Sequence, residues 1–67
     1  MAKLAAALRA RRAEAQMTYE ELAERTGMSR RSVIDYEHGR TRGTLLHWYR
    51  ISAALNVRFS ELMRSLD

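Results

Sequence analysis

The sequence predicts a compact all-α fold of five helices, for three reasons. Apolar residues recur at helical spacing between short breaks. The breaks are marked by Gly27, Gly39, Gly43 and Asn56 in a chain without proline. No segment alternates apolar and polar residues over a useful length, so a β-sheet is not expected. We expect one domain over 1–67, with most apolar side chains in its core, because so short a chain buries only about 60% of its unfolded surface.

The first helix is predicted over about 2–15, with Leu4, Leu8 and Ala15 on its apolar stripe. Its Ala- and Arg-rich composition is also found in targeting peptides. However, its longest uncharged run is too short for a signal-peptide core and Glu14 follows soon after, so we favour a core helix. No apolar run has the length of a membrane span, and we expect a cytoplasmic protein.

The second and third helices carry clear start and stop signals. Thr18 and Glu21 form a T-x-x-E capping box at the start of the second helix, and Gly27 ends it with a residue that tolerates left-handed geometry. Ser29 caps the third helix, which closes before Gly39. Apolar pairs occupy the two staple positions: Met17 and Leu22, then Met28 and Val33. Two helices joined by a turn of about three or four residues cross steeply, so we predict a helix-turn-helix over 18–38.

The segment between the two motif helices predicts a small wedge of core. Its members are apolar and close in sequence: Leu22, Met28, Val33 and Tyr36. Ala23 is small, as expected where the second helix passes close by, and Gly27 allows a positive φ in the turn.

Two further helices complete the prediction. The fourth covers about 44–55 after the N-cap Thr44, with a stripe of Leu45, Trp48, Ser52 and Leu55. Asn56 is the expected turn residue and Val57 an expected core plug. The fifth, about 59–66, presents four apolar residues: Phe59, Leu62, Met63 and Leu66. Leu46 and His47 are expected to face outward.

The charge is basic and unevenly placed. The chain has 12 Lys+Arg against 8 Asp+Glu, and all but one of the cations are arginine, which favours bidentate recognition of phosphate or guanine. Four of the arginines crowd one stretch, at Arg30, Arg31, Arg40 and Arg42, while three acidic residues lie elsewhere, at Glu20, Glu21 and Glu24.

Several chemistries find no support. Cysteine is absent, and His38 and His47 fit no metal-ligand spacing, so no disulfide, metal or cofactor is expected. No Ser-His-Asp set, Gly-rich phosphate loop or pair of buried carboxylates can be assembled, so we do not expect an enzyme. No sensor domain for a small molecule is evident. Helix packing or dimerisation must then supply the stability.

The motif resembles the Cro and phage-repressor (Xre-type) helix-turn-helix family. The matching residues are Leu22-Ala23, Gly27, Ser29, Val33 and the Glu37-x-Gly39 ending, with Arg12 before and Leu55-Asn56-Val57 after the motif. The resemblance therefore covers almost the whole chain. It implies a lambda-repressor-like DNA-binding fold whose third helix reads the major groove of double-stranded DNA as part of a dimer on a two-fold operator.

Carried over to this chain, the resemblance implies base contacts from Arg30, Arg31, Ile34 and Asp35. Either arginine can donate two bonds to guanine O6 and N7, or can merely hold a phosphate. Ile34 can pack on a thymine methyl or simply be exposed. Asp35 can accept from cytosine N4, but we favour an i, i+4 pair with Arg31, because phosphates repel an unpaired carboxylate.

The resemblance also implies contacts to the DNA backbone. The residues lie at the ends of the motif helices and in the following loop: Tyr19, Ser29, Ser32, Arg40, Thr41, Arg42, Gly43 and Thr44. The N–H groups of Gly43 and Thr44 could form a phosphate-binding site at the start of the fourth helix. The alternative for this loop is a solvated basic segment. Tyr19 stands where the family usually has a phosphate-bonding glutamine, and a phenol donates the same bond with a different reach.

One structural role follows from the same resemblance, and a second follows from apolar residues that are expected to face outward. Arg12 and Glu37 pair as a partly buried salt bridge between the first and third helices. The dimer interface is expected around Leu46, Asn56, Val57, Arg58, Phe59 and Met63. Arg58 replaces the usual Ser or Thr cap of the last helix, and Trp48 and Tyr49 are bulkier than usual, which we interpret as core variation.

The predicted function is that of a sequence-specific transcriptional regulator, a repressor acting as a homodimer that is weak off DNA. The resemblance places it in a bacterium or phage, at the nucleoid. An alternative is an antitoxin or protein-binding module whose apolar face binds a protein partner. RNA binding is a third possibility, but several of the few aromatic residues belong to the expected core, so no stacking platform is evident.

Overall fold

The computed structural model describes residues 2–64 and is all-α, as predicted. The helices are α1 (Ala2–Glu14), α2 (Tyr19–Thr26), α3 (Arg30–Glu37), α4 (Leu45–Ala54) and α5 (Phe59–Met63). Residues 2–64 contain no β-strand and measure 29 × 22 × 20 Å along their principal axes. None of the helices in this range is long and apolar enough to cross a membrane. The part of the fifth-helix prediction that includes Leu66 lies outside the described residues.

The helix boundaries follow from local hydrogen bonds, and the predicted caps are confirmed. Thr18 Oγ1 accepts from the Glu21 backbone N–H at 3.1 Å, and the Glu21 side chain accepts from the Thr18 N–H, which completes the capping box of α2. Gly27 ends α2 with a left-handed φ of 73°. Ser29 caps α3 by accepting from the Ser32 N–H at 3.1 Å. Within the described chain, Arg58 begins α5 without a side-chain cap bond.

The core lies where α1 and α4 meet the two motif helices. α2 packs against α3 and α4, and α1 packs against α3 and α5. The predicted wedge of Leu22, Met28, Val33 and Tyr36 is buried, together with Leu4, Leu8, Trp48 and Leu62. Full burial of one such aliphatic side chain contributes about 1.5–3 kcal/mol to folding. The burial of the wedge therefore fixes the position of α3 relative to the other helices.

Three residues that were expected in the core are exposed. Ala15 is exposed, because α1 ends at Glu14 and Gln16 turns the chain with a φ of 54°. Leu45 is 69% exposed and Tyr49 is 58% exposed, so neither belongs to the core.

The buried face of α4 explains the difference. It is formed by Trp48, Ile51, Ser52 and Leu55, and Ile51 is fully buried although it was not on the predicted stripe. This face is the one turned to α2 and α5, which pack against α4. Leu45, in the first turn of the helix, lies beyond that contact.

Candidate nucleic-acid interface

The first turn of α3 presents two arginines to solvent. Arg30 and Arg31 are both exposed, directly after the N-cap Ser29. Ser29 and Ser32 are engaged with each other, since the Ser29 hydroxyl donates to the Ser32 hydroxyl at 3.0 Å. Ile34 lies one turn further along α3 and is half-buried. The helix therefore offers guanidinium groups at its start and a partly covered apolar side chain behind them.

Arg30 is held by two residues at the start of α2. Its Nε donates to Glu20 Oε1 at 2.7 Å, and its guanidinium lies 5.7 Å from the centre of the half-buried Tyr19 ring. The pKa of Glu20 is lowered, first because the carboxylate accepts a hydrogen bond from its own backbone N–H and then because it pairs with Arg30. Glu20 was expected to lie away from the arginines, and this expectation is wrong. The available signal was that the helix-turn-helix brings the start of α2 beside the start of α3.

Asp35 pairs with Arg40, whereas a pair with Arg31 was expected. Arg40 Nη1 lies 3.7 Å from Asp35 Oδ1. The reason is the turn after α3: Gly39 adopts a φ of 69°, and the Arg40 backbone N–H donates back to the Asp35 carbonyl at 3.0 Å. The Arg40 side chain is thereby brought alongside Asp35. Arg31 is therefore not held by the carboxylate that was expected to fix it.

The loop between α3 and α4 is ordered by its own hydrogen bonds. The Gly43 N–H donates to Thr41 Oγ1 at 3.1 Å, and the Thr44 N–H donates to the Tyr36 hydroxyl at 2.9 Å. The two N–H groups predicted as a phosphate-binding site are thus already engaged inside the protein. Exposed side chains remain at Arg40 and Arg42, and the backbone carbonyl of Arg42 accepts from Trp48 Nε1 at 3.1 Å.

Tyr36 is the centre of this arrangement. Its hydroxyl also contacts His47 Nδ1 at 3.0 Å, and its ring packs at 5.0 Å from that of Trp48. His47 is therefore half-buried and does not face outward as expected. Gly43 has a φ of 67°, and a Cβ there would overlap the Tyr36 ring, so this position requires glycine.

Arg12 and Glu37 join α1 to the end of α3. Arg12 Nη2 and Nε each lie 2.9 Å from Glu37 Oε1, and Arg12 Nη1 donates to the Met17 carbonyl at 2.9 Å. The Glu37 side chain is only 1% exposed. One arginine thus holds α1, the loop before α2 and the end of α3 in a fixed arrangement.

The second oxygen of the Glu37 carboxylate is less well satisfied than the first. Glu37 Oε2 is buried and accepts no hydrogen bond from the described residues. The Tyr19 phenol interacts with the same carboxylate. Its pKa is raised, first because the neutral phenol can donate to the Glu37 carboxylate, then by partial desolvation and the Glu37 charge, while Arg12 and Arg30 oppose the shift. The Arg12 guanidinium lies 4.3 Å from the Tyr19 ring centre.

The residues expected at a dimer interface border an exposed apolar surface. Leu46 is 57% exposed and stands beside Leu45 and Tyr49 on α4. The Tyr49 ring meets the Phe59 ring edge-on, with centroids 5.8 Å apart. We call these four residues the α4–α5 patch. Around it, Val57 and Met63 are half-buried and Asn56 and Arg58 are exposed.

Comparisons with known proteins agree with this architecture. The helix-turn-helix family model matches residues 8–62. The chain is 40% identical, over 60 residues, to an HTH-type transcriptional regulator of Methanothermobacter thermautotrophicus, covering 90% of this chain and 87% of that protein. It also resembles the crystal structure of the restriction-modification controller protein C.AhdI from Aeromonas hydrophila, with a TM-score of 0.87, 28% identity and coverage of 91% and 92% of the two chains. The chain belongs to the helix-turn-helix family of DNA-binding transcriptional regulators, of the Cro and phage-repressor (Xre) type.

Proposed function

We propose that the protein is a transcriptional repressor that binds a two-fold DNA operator as a homodimer, with α3 in the major groove. The observation that carries the proposal is the pair of exposed arginines, Arg30 and Arg31, in the first turn of a helix fixed by the buried wedge. Helix-turn-helix proteins read bases with this part of the recognition helix. A guanidinium there is matched to guanine, and each bidentate contact discriminates by about 1–3 kcal/mol.

Contacts to the DNA backbone fix the register of α3 in the groove. Arg40 and Arg42, exposed in the ordered loop after α3, are suited to phosphates on one side, with Thr41 between them. Ser29 and Ser32 are suited to phosphates near the start of α3, whereas the Tyr19 phenol is directed to the Glu37 carboxylate. If each subunit neutralises two or three phosphates, a plot of log K against log salt has a slope of about −4 to −5 for the dimer. A slope shallower than about −1 contradicts this arrangement.

Dimerisation follows from the limits of one recognition helix. A single α3 reads a few base pairs, which discriminates poorly against the excess of competing DNA. Two copies related by a two-fold axis place their α3 helices in successive major grooves, about 34 Å apart. The α4–α5 patch, with Asn56, Val57, Arg58 and Met63 around it, is the surface we assign to this contact. The patch is small, so the dimer is weak in the absence of DNA.

The decisive experiment is a selection on randomised half-sites with the wild type and Arg31→Lys. Lysine keeps the charge but not the planar pair of donors, so binding to random DNA survives while the preference for guanine at one position falls. Arg9→Lys, on the exposed surface of α1, is the matched control and leaves the selected sequence unchanged. An identical base preference from Arg31→Lys and the wild type removes Arg31 from the specificity set.

A second candidate function is binding of a protein partner, as in an antitoxin, and the exposed α4–α5 patch favours it. The two functions separate by mutation. Replacing Arg30 and Arg31 together by Ala abolishes DNA binding and leaves a partner on the patch attached. Replacing Leu46 by Glu releases that partner from the patch. If the double arginine variant keeps full operator affinity, the DNA-binding role of α3 is wrong.

A further inference from the structure

The ion pair between Glu20 and Arg30 lies at the proposed DNA-reading end of α3. Its two side chains are 65% and 58% exposed, and the distance is 2.7 Å. Pairs exposed to this degree contribute little to folding, because water screens both charges. Stability therefore does not account for a carboxylate placed beside the first recognition arginine.

The geometry of the pair leaves the reading end of the arginine available. A guanidinium has five N–H donors, and the bond to Glu20 uses the one on Nε. The donors on Nη1 and Nη2 point away from the stem and are the pair that can meet guanine O6 and N7. The Tyr19 ring, 5.7 Å from the guanidinium, restricts the plane of the group on another side.

The charge of Glu20 has a second consequence. A phosphate that approaches the Nη1 and Nη2 donors of Arg30 is repelled by the Glu20 carboxylate, which is already bonded to Nε. Arg30 is thus a poor anchor for random DNA. A guanine edge, which is neutral overall, can accept from Nη1 and Nη2 while Glu20 stays in place.

From these contacts we propose that Glu20 is a specificity-determining positioning residue: it holds Arg30 for base reading and keeps it from serving as a phosphate contact. The proposal rests on the DNA-binding function above and extends it to a residue that touches no base. Glu20 thereby raises the ratio of specific to random binding in two ways. It lowers affinity for random duplex, and it reduces the number of orientations that Arg30 must give up on the operator.

The neighbouring acidic residues provide a matched control. Glu21 belongs to the capping box of α2, so its replacement would disturb the fold. Glu24 is exposed one turn further along the same helix. Glu20→Gln and Glu24→Gln therefore remove the same charge from the same helix, and only the first removes a charge that is paired with Arg30.

The test compares wild type, Glu20→Gln and Glu24→Gln by half-site selection and by salt titration on a random duplex. With Glu20→Gln, discrimination at the base pair read by Arg30 falls by up to about fivefold per subunit, the upper end of the range measured for exposed ion pairs. The salt slope on random duplex steepens by up to about 0.9 per subunit, because Arg30 becomes a phosphate contact. Glu24→Gln changes neither the selected base nor the slope.

The possible outcomes distinguish a failure of the positioning role of Glu20 from a failure of the proposed DNA-binding function. If Glu20→Gln and Glu24→Gln behave alike on both readouts while the wild type selects an operator, the positioning role is overturned and the DNA-binding function stands. If the wild type selects no sequence and binds no duplex, the proposed function itself fails, and the inference with it. Circular dichroism and unfolding midpoints of both variants establish that the comparison is between folded proteins.

Discussion

Two arginine–glutamate pairs tie α3 to its neighbours, and they differ in almost everything except distance. Arg12 and Glu37 join α1 to the end of α3 at 2.9 Å, with side chains 21% and 1% exposed. Arg30 and Glu20 join the start of α3 to α2 at 2.7 Å, with side chains 58% and 65% exposed. The shorter bond is the weaker one in energetic terms, because its charges remain in water. Burial, and not length, decides what each pair does.

This difference in burial gives the two ends of α3 different roles. At the C-terminal end of α3, the buried Glu37 has no access to water and depends on Arg12, so this pair stabilises the fold. At the N-terminal end of α3, Arg30 can exchange Glu20 for another partner at little cost. Tyr19 lies near both, since the guanidiniums of Arg12 and Arg30 are 4.3 and 5.7 Å from its ring. The start of α2 therefore adjoins a structural pair and a recognition pair at once.

The largest effect is expected at the buried pair. Arg12→Met leaves Glu37 as an uncompensated buried carboxylate and removes the bond to the Met17 carbonyl, so the free energy of unfolding falls by about 3–5 kcal/mol. Urea denaturation followed by circular dichroism measures it.

A domain of this size can unfold outright on such a loss, so a double variant keeps the prediction testable. Arg12→Met combined with Glu37→Leu removes both charges and recovers most of the loss, since a well-packed apolar pair is often as stable as a buried ion pair. If the free energy of unfolding of Arg12→Met were within about 1 kcal/mol of the wild-type value, this pair would behave like a surface pair. The distinction between the buried pair and the exposed pair would then be wrong.

The neutral contact at Tyr36 comes next in size. Tyr36→Phe leaves the Thr44 N–H without its acceptor and removes the contact to His47, so we expect a loss of about 1–3 kcal/mol in the free energy of unfolding. Tyr49→Phe is the matched control, because Tyr49 is exposed, and it should stay within about 0.5 kcal/mol of wild type. Equal effects from the two variants would mean that the loop after α3 is not anchored by Tyr36.

The exposed pair should show a smaller effect on stability. Glu20→Gln changes the free energy of unfolding only slightly, because both charges of the pair stay in water, and most of that change disappears in about 1 M salt. A double-mutant cycle with Arg30→Gln measures the coupling directly. A coupling as large as that of Arg12 with Glu37 would erase the distinction between the two ends of α3.

The smallest effect concerns Tyr19 and pH. The pKa of Tyr19 is raised above its ordinary value of 10.0, first by hydrogen bonding to Glu37. The folded state therefore retains the phenolic proton longer than the unfolded chain. Its contribution is fully present below the ordinary value and is lost as pH rises through the folded pKa.

Unfolding curves of wild type and Tyr19→Phe from neutral to alkaline pH isolate this contribution. The stability of the wild type relative to the variant should decline above about pH 10. A constant difference across that range would place the Tyr19 phenol out of contact with the Glu37 carboxylate.

The helix caps and turns were predicted accurately from the sequence. The capping box of Thr18 and Glu21, the Ser29 cap and the Gly27 turn were all predicted, because each depends on residues within a few positions of one another. The buried wedge followed from spacing alone. These signals are sufficient to locate the helix-turn-helix and to predict that the start of α3 is exposed.

The tertiary structure decided the rest. α4 carries apolar residues on more than one side, so spacing could not choose between a face with Leu45 and one with Ile51; packing against α2 and α5 did. Glu20 met Arg30, and Asp35 met Arg40, across turns whose geometry brings distant carboxylates and guanidiniums together. Sequence alone determined where each helix begins and which motif they form, because caps and turns are local interactions. The family resemblance implied the pair of Arg12 and Glu37, but only the folded chain determined how the other charges are paired and which apolar face is left open, because those depend on neighbours supplied by other helices.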